Sequence, residues 1–217
     1  MIEPYYETKL GKLYHGDCLE IIPGLELESV DLVLTDPPYP TEYTKEYKFN
    51  KKAILLLNDI NSKQLIFWTP QDKDKFPLSY SCFHIWDKKT GVRSQFELIY
   101  ERNGGTGFRV YNVYLLNSTV AAKYLSDVFT GHKSQKPRKL ITKLLHDSKT
   151  NNTVFDPFLG SGTTAVVCER SKRKWIGIEI EEKYCEMAAK RIEESLTVME
   201  RIERSEKGIT KKTGLLF

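Results

Sequence analysis

The chain has 217 residues, 40% of them hydrophobic and 29% charged, with a formal net charge of +4, which suits one domain with a sizeable core and excludes a disordered chain or two ordinary domains. Its longest aliphatic stretch, Ala53 to Leu57, is far too short to span a bilayer, and the N-terminus carries Glu3 and Glu7 without the apolar core of a secretory signal, so a cytoplasmic protein without membrane contact is expected. The four cysteines, Cys18, Cys82, Cys168 and Cys185, are widely spaced with no CxxC pair, which excludes a disulfide framework and a zinc ribbon.

Short β-rich runs alternate with helical patterns, the signature of an α/β fold whose mostly parallel sheet is covered by crossover helices. Seven strands are expected, at about Lys12–His15, Asp31–Thr35, Gln64–Trp68, Cys82–Trp86, Glu97–Glu101, Thr153–Phe155 and Lys174–Ile178. After the second comes Asp36-Pro37-Pro38-Tyr39. Each proline locks φ and removes an N–H donor, so this segment is a rigid, acceptor-rich platform suited to a planar ring that carries an amine. Two basic clusters follow at intervals: Lys45, Lys48, Lys51 and Lys52, then Lys133, Lys136, Arg138, Lys139 and Lys143. Clustered cations suit phosphate contacts. Between them, Asn103-Gly104-Gly105-Thr106-Gly107 precedes the aromatic-rich run Phe108 to Tyr114, which contains Arg109, and this region is the candidate insertion.

Beyond Pro137 a helix should present Leu140, Ile141, Leu144 and Leu145, and from Glu182 another should present Tyr184, Met187, Ala188, Ile192 and Leu196. Between these helices a strand runs into the glycine loop Asp156-Pro157-Phe158-Leu159-Gly160-Ser161-Gly162, which opens a helix at Thr163. A strand, a glycine turn and a helix make a nucleotide-type site, and Glu179 at the end of the next strand is placed to accept hydrogen bonds from two ribose hydroxyls. The loop has no phosphate-binding lysine and only two closely spaced glycines, which disfavours a triphosphate or a dinucleotide. The polar tail from about Ser205 ends in Leu215-Leu216-Phe217, an apolar plug expected to dock on the domain itself. His15 and Cys18 lack a second ligand pair, so no metal site is expected. No cysteine sits in a motif suited to a nucleophile.

Taken together, the loop, Glu179, Asp36-Pro37-Pro38-Tyr39 and His132-Lys133-Ser134-Gln135-Lys136-Pro137 resemble the S-adenosylmethionine-dependent DNA amino-methyltransferases. The order, with the DPPY half first, resembles their permuted β class. His15-Gly16-Asp17-Cys18 resembles that class's first element, and Phe83 to Lys88 and Phe96 to Tyr100 its later strands, so the resemblance covers about residues 12–195. It implies a single-domain, Rossmann-like class I methyltransferase with a seven-stranded mostly parallel sheet. It also implies a target-recognition insertion at about 102–131, so short that sequence readout is expected either to be limited or to be shared with the lysine-rich loop from Thr41 to Lys52. Two departures from the family pattern are Lys133-Ser134, where Pro-Thr is common, and the brevity of that insertion.

The site residues so implied are Asp36, Pro37, Pro38 and Tyr39 for catalysis. For S-adenosyl-L-methionine they are Asp17, Cys18, His132, Lys136, Asp156, Phe158, Gly160, Ser161, Gly162, Thr163 and Glu179. For double-stranded DNA with a flipped base they are Lys45, Lys48, Lys51, Lys52 and Arg109. Adenine N6 is the expected target, because Asp at position 36 is commoner among relatives acting on adenine. Cytosine N4 is the alternative, followed by RNA adenine N6 and an inactive DNA-binding subunit. A restriction-modification role with a cognate endonuclease, an unaccompanied or phage-encoded methylase, and a homodimer are all compatible with these residues.

Overall fold

The computed structural model describes residues 2–40, 49–90, 95–115, 132 and 134–197. Within them the strands are β1 (Tyr6–Glu7), β2 (Gly11–His15), β3 (Val30–Thr35), β4 (Lys63–Trp68), β5 (Cys82–Asp87), β6 (Phe96–Arg102), β7 (Val110–Asn112), β8 (Thr153–Asp156) and β9 (Lys174–Glu179). The α-helices are α1 (Cys18–Ile21), α2 (Lys51–Leu55), α3 (Arg138–Ser148), α4 (Thr163–Arg170) and α5 (Glu182–Ser195). One sheet contains all nine strands in the order β1-β2-β9-β8-β3-β4-β6-β5-β7.

Every strand expected from the sequence is present, and β1 and β7 are additional. They are two and three residues long, too short to display an alternating pattern. Part of the aromatic-rich run therefore belongs to the sheet, because β7 pairs in parallel with β5. The rest of the expected insertion, residues 116–131, lies outside the described residues, as do the Ser205 tail and Leu215-Leu216-Phe217.

The central strands β2, β9, β8, β3 and β4 pair in parallel, and β6 pairs antiparallel with both β4 and β5. Strand side chains alternate between faces. Leu32 and Leu34 of β3 thus join one core with Leu65 and Phe67 of β4, while Val33 joins the other with Ile66 and Trp68. Being covered on both faces explains why these strands read as continuous apolar runs. Leu140, Ile141, Leu144 and Leu145 of α3, Ala165 to Cys168 of α4, and Cys185, Ala188 and Ile192 of α5 cover the first face. Cys18 and Ile21 of α1 and Ala53 and Ile54 of α2 cover the second.

The strand order positions the site. From β8 the chain passes through α4 to β9 on one side, and from β3 it passes through α2 to β4 on the other. Connections that part between adjacent strands leave a crevice beyond their carboxyl ends. That crevice lies between Thr35, which ends β3, and Asp156, which ends β8.

Candidate active site

The DPPY segment and the glycine loop are 120 residues apart in sequence and adjacent in space, because β3 and β8 are paired neighbours. A bond from the Thr35 hydroxyl to Asp156 Oδ1, 2.7 Å long, ties their starts together. They frame a cleft of about 690 Å³, within the usual size of small-ligand sites. The structure brings Asp17, Cys18, Asp36, Pro37, Pro38, Tyr39, His132, Lys136, Asp156, Phe158, Gly160, Ser161, Thr163 and Glu179 to its walls.

On the loop side, Gly160 and Gly162 have φ of +54° and +78°, a left-handed conformation that glycine adopts without strain. Glu179 is 6% exposed, and its two oxygens accept the N–H groups of Gly160 (2.7 Å) and Glu181 (2.9 Å). Burial pushes its carboxyl up, against the pull of these N–H bonds. The Ile180 N–H also acts on this carboxylate, and of its about four acceptor positions at least one remains for a ligand's hydroxyl. Asp17 accepts the Leu19 N–H at 2.9 Å as the cap of α1. The buried His132 ring stands edge-on to Tyr184, with centroids 4.4 Å apart. Asp156 accepts from Thr35 and from the Phe158 N–H, and burial raises it from 3.8 to about 6.

Gly162 differs from its neighbours in the loop, for it does not line the cleft. A Cβ there would stand 2.7 Å from the Cβ of Ala188, so this glycine permits close packing of α4 on α5. Sequence reasoning also missed Arg191 on α5, which donates to the carbonyl of Ser161 at 2.5 Å and to the hydroxyls of Ser161 and Thr163 at 3.0 Å. Its spacing from Tyr184 and Ala188 on the apolar face of α5 was the available signal.

On the platform side, both oxygens of Asp36 are occupied. Oδ1 accepts the Tyr39 hydroxyl at 2.7 Å, and Oδ2 accepts the ammonium of Lys136. That ammonium also lies 3.5 Å from Glu97, which Lys88 pairs at 2.6 Å. Lys136 was grouped with the cofactor half in the sequence, whereas the structure sets its charged end on the platform. Burial pushes Asp36 up, against the pull of Lys136 and with the push of Glu97. Burial also opposes the charge on Lys136, but Asp36 and Glu97 outweigh it and hold the amine above its ordinary value. Glu97, half-buried, is held below the usual range by Lys136 and Lys88 against the effect of burial. Neither Glu97 nor Lys88 was singled out in the sequence, since Glu97 reads as a polar position in a strand and Lys88 as a polar residue just beyond one.

Of the proposed nucleic-acid contacts, Lys51 and Lys52 are exposed in the first turn of α2, flanked by Phe49, Asn50 and Ala53 of the cleft wall. Lys45 and Lys48 lie outside the described residues. Arg109 stands away from the cleft, 3.8 Å from Asp147. Burial raises the thiols of Cys18, to about 12, and of Cys82, Cys168 and Cys185, which makes each a poor nucleophile. Cys82, His84 and Glu101 approach one another, but protein partners satisfy them. The Arg109 N–H donates to His84 Nδ1, leaving Nε2 to bond Glu101 at 2.7 Å, and Lys63 pairs with Glu101 at 3.0 Å.

A family model described as DNA methylase, of the N6/N4 group, matches residues 42–190. The type II methyltransferase M2.LlaDCHI of Lactococcus lactis subsp. cremoris is 26% identical, over 91% of this chain and 94% of its own length. The DNA adenine methyltransferase YhdJ of Escherichia coli (strain K12) is 42% identical over 72 residues, 33% of this chain and 24% of its own. Among solved structures, an M1.HpyAVI-SAM complex superposes with a TM-score of 0.62 at 22% identity, covering 84% of this chain and 100% of that one.

Proposed function

The chain belongs to the N6/N4 group of the DNA methylase family, and from that membership we propose that it transfers a methyl group from S-adenosyl-L-methionine to N6 of adenine in double-stranded DNA, on a base turned out of the duplex. One observation carries the reading: the acceptor platform at Asp36 and the glycine loop ending near Glu179 open into a single cleft. An amine and a nucleoside-bearing donor bound there would be neighbours. The adenine assignment is supported by the similarity to a DNA adenine methyltransferase and by Asp, the residue commoner in adenine relatives, at position 36.

The cleft fits the cofactor. Glu179 retains acceptor capacity for a ribose hydroxyl, and Phe158 and Ile180 give an apolar wall for a purine. Asp17 offers a carboxylate close by. A Cβ on Gly160 would come within 3.2 Å of His132, so the loop reaches the cleft with backbone alone. When bound, S-adenosylmethionine supplies a methyl group on a positively charged sulfur. The residues of this chain act on the acceptor. The Asp36 carboxylate and the Pro37 carbonyl would take the two N–H donors of the amine, drawing its lone pair out of conjugation with the ring. These bonds strengthen as positive charge develops on nitrogen, which is the condition for acceleration. Holding nitrogen in line with the methyl group then removes most of the entropic barrier. The proton shed by the amine has Asp36 as its nearest acceptor, and burial makes that carboxylate more basic.

The exocyclic amine is unreachable inside a duplex, so the base must leave the stack at a cost of a few kcal/mol. Tyr39 lines the cleft and offers aromatic surface to receive it, backed by the buried Trp68, whose ring centroid is 5.5 Å away. Among the described residues no helix is long and apolar enough to cross a membrane, and a cytoplasmic place beside DNA accords with this function. Similarity to type II methyltransferases supports a restriction-modification setting, with a cognate endonuclease as partner. The test is incubation of the protein with methyl-labelled S-adenosylmethionine and unmethylated double-stranded DNA, followed by nucleoside analysis. Label on N6-methyl-2′-deoxyadenosine supports the proposal. Label on cytosine N4, or label only in a parallel incubation with RNA, refutes the assigned target.

A further inference from the structure

The platform that should receive an amine already holds one. The Lys136 ammonium bonds Asp36 Oδ2 and stands 4.9 Å from the centroid of Phe67 and 5.9 Å from that of Trp86. A positively polarised N–H donor on a carboxylate, over aromatic surface, has the same chemistry as the amino group of an extruded base. Each oxygen of Asp36 keeps a further acceptor position, but the Lys136 ammonium on Oδ2 lines the same cleft, so a base amine and Lys136 compete for the space beside that oxygen.

A second acceptor lies beside the first. Glu97 is 3.5 Å from the Lys136 nitrogen, and a small displacement would turn that contact into a direct bond. Lys88 holds Glu97 from the far side at 2.6 Å. Asp36, Glu97, Lys88 and Lys136 therefore form a charge-balanced group of two anions and two cations, in which Lys136 stays paired on moving to Glu97 while Asp36 is left to the N–H donors of the base and the Tyr39 hydroxyl. We propose that Lys136 is a positioning residue for the acceptor base: in the free enzyme it holds the place of the target amine on Asp36, and it withdraws to Glu97 when the base enters.

The arrangement has two consequences. Asp36 stays ionised between turnovers, since a carboxylate in this setting with no cation beside it would tend to take up a proton. It also sets a threshold for entry, because only a group able to replace an ammonium on Asp36 opens the subsite. The groups facing Asp36 are Lys136 from the segment before α3, Tyr39 from its own segment, Glu97 from β6 and Asp156 from β8. Of these, Lys136 supplies the opposing charge.

The inference rests on the methyl-transfer reading, and its test separates the two. Full-length wild type, Lys136→Met, Lys136→Arg and Glu97→Gln are assayed with unmethylated double-stranded DNA, and cofactor affinity is measured on each by calorimetry. Lys136→Met should lower KM for DNA several-fold at alkaline pH and leave cofactor affinity unchanged. The acidic limb of its kcat/KM profile should move up by about 1–3 pH units, the usual effect of losing a close opposite charge. Lys136→Arg should keep the wild-type limb, and Glu97→Gln should raise KM because the withdrawal site is weakened. An unmoved limb in Lys136→Met overturns the proposal, and so does a loss of cofactor affinity, which would return Lys136 to the cofactor half. Absence of label with wild type refutes the methyl-transfer reading instead. The pairing is then judged on the free protein by NMR: a slowly exchanging Lys136 ammonium signal that Asp36→Asn abolishes supports it, and one indifferent to that substitution refutes it.

Discussion

Asp156→Asn should stabilise the protein at neutral pH and lose that advantage in acid. Asp156 is 5% exposed, and burial raises its carboxyl from 3.8 to about 6 although Thr35, Thr164 and the Phe158 N–H all bond it. A carboxyl that binds its proton more tightly folded than unfolded opposes folding once ionised, and that opposition is relieved as pH falls from above 6 to below 3.8. The rise of about two units corresponds to about 3 kcal/mol at pH 7, about 1.6 kcal/mol at pH 5 and about 0.5 kcal/mol at pH 4. Asparagine resembles the protonated acid. Its carbonyl oxygen accepts from Thr35 and Phe158 as Asp156 Oδ1 does, and its amide can donate to the Thr164 hydroxyl. Urea unfolding of both proteins at these three pH values gives the difference directly, and the other carboxyls, Glu179 included, cancel in the subtraction. A difference that does not shrink between pH 7 and pH 4 would show that the burial penalty on Asp156 is not what the surroundings imply.

Three further outcomes are expected. Gly162→Ala places a Cβ 2.7 Å from that of Ala188 at a φ of +78°, so overpacking and left-handed strain together should cost about 2–5 kcal/mol in denaturant unfolding; a loss below about 1 kcal/mol would contradict the close approach of α4 and α5. Glu179→Ala removes the acceptor of the Gly160 and Glu181 N–H groups as well as that proposed for the ribose, and should weaken cofactor binding by about 1.5–3 kcal/mol, with unchanged affinity in calorimetry ruling the role out. Asp36→Ala should abolish methyl transfer while cofactor binding stays close to wild type, and a parallel loss of binding would mean that Asp36 belongs to the other half of the site.

The central fold was legible because it is built from local periodicities. The apolar runs that became β3, β4, β8 and β9, and the spacing of Leu140, Ile141, Leu144 and Leu145, state which face is buried before any partner is known. The edge strands were not legible. Tyr6–Glu7 has two residues, and Val110–Asn112 was submerged in an aromatic-rich run that reads as an insertion; each owes its conformation to the strand beside it. Gly162 shows the same limit on a smaller scale. Its presence in the loop suggested ligand contact, yet what fixes it is Ala188, 26 residues further along the chain.

The kinds of chemistry present were determined by sequence alone: an acceptor platform stiffened by two prolines, a glycine loop between a strand and a helix, and an acidic residue at the end of the next strand. Those features depend on φ restrictions and on hydrogen-bonding groups carried within a few residues of one another. Which charges would meet was decided only by the tertiary structure. Lys136 lies 100 residues from Asp36 and 39 from Glu97, and the three come together because the strand order sets β3 beside β4 and β4 beside β6. Coulombic attraction and hydrogen bonding depend on distance through space, so the chain order of these residues could not disclose that the platform's own lysine occupies it.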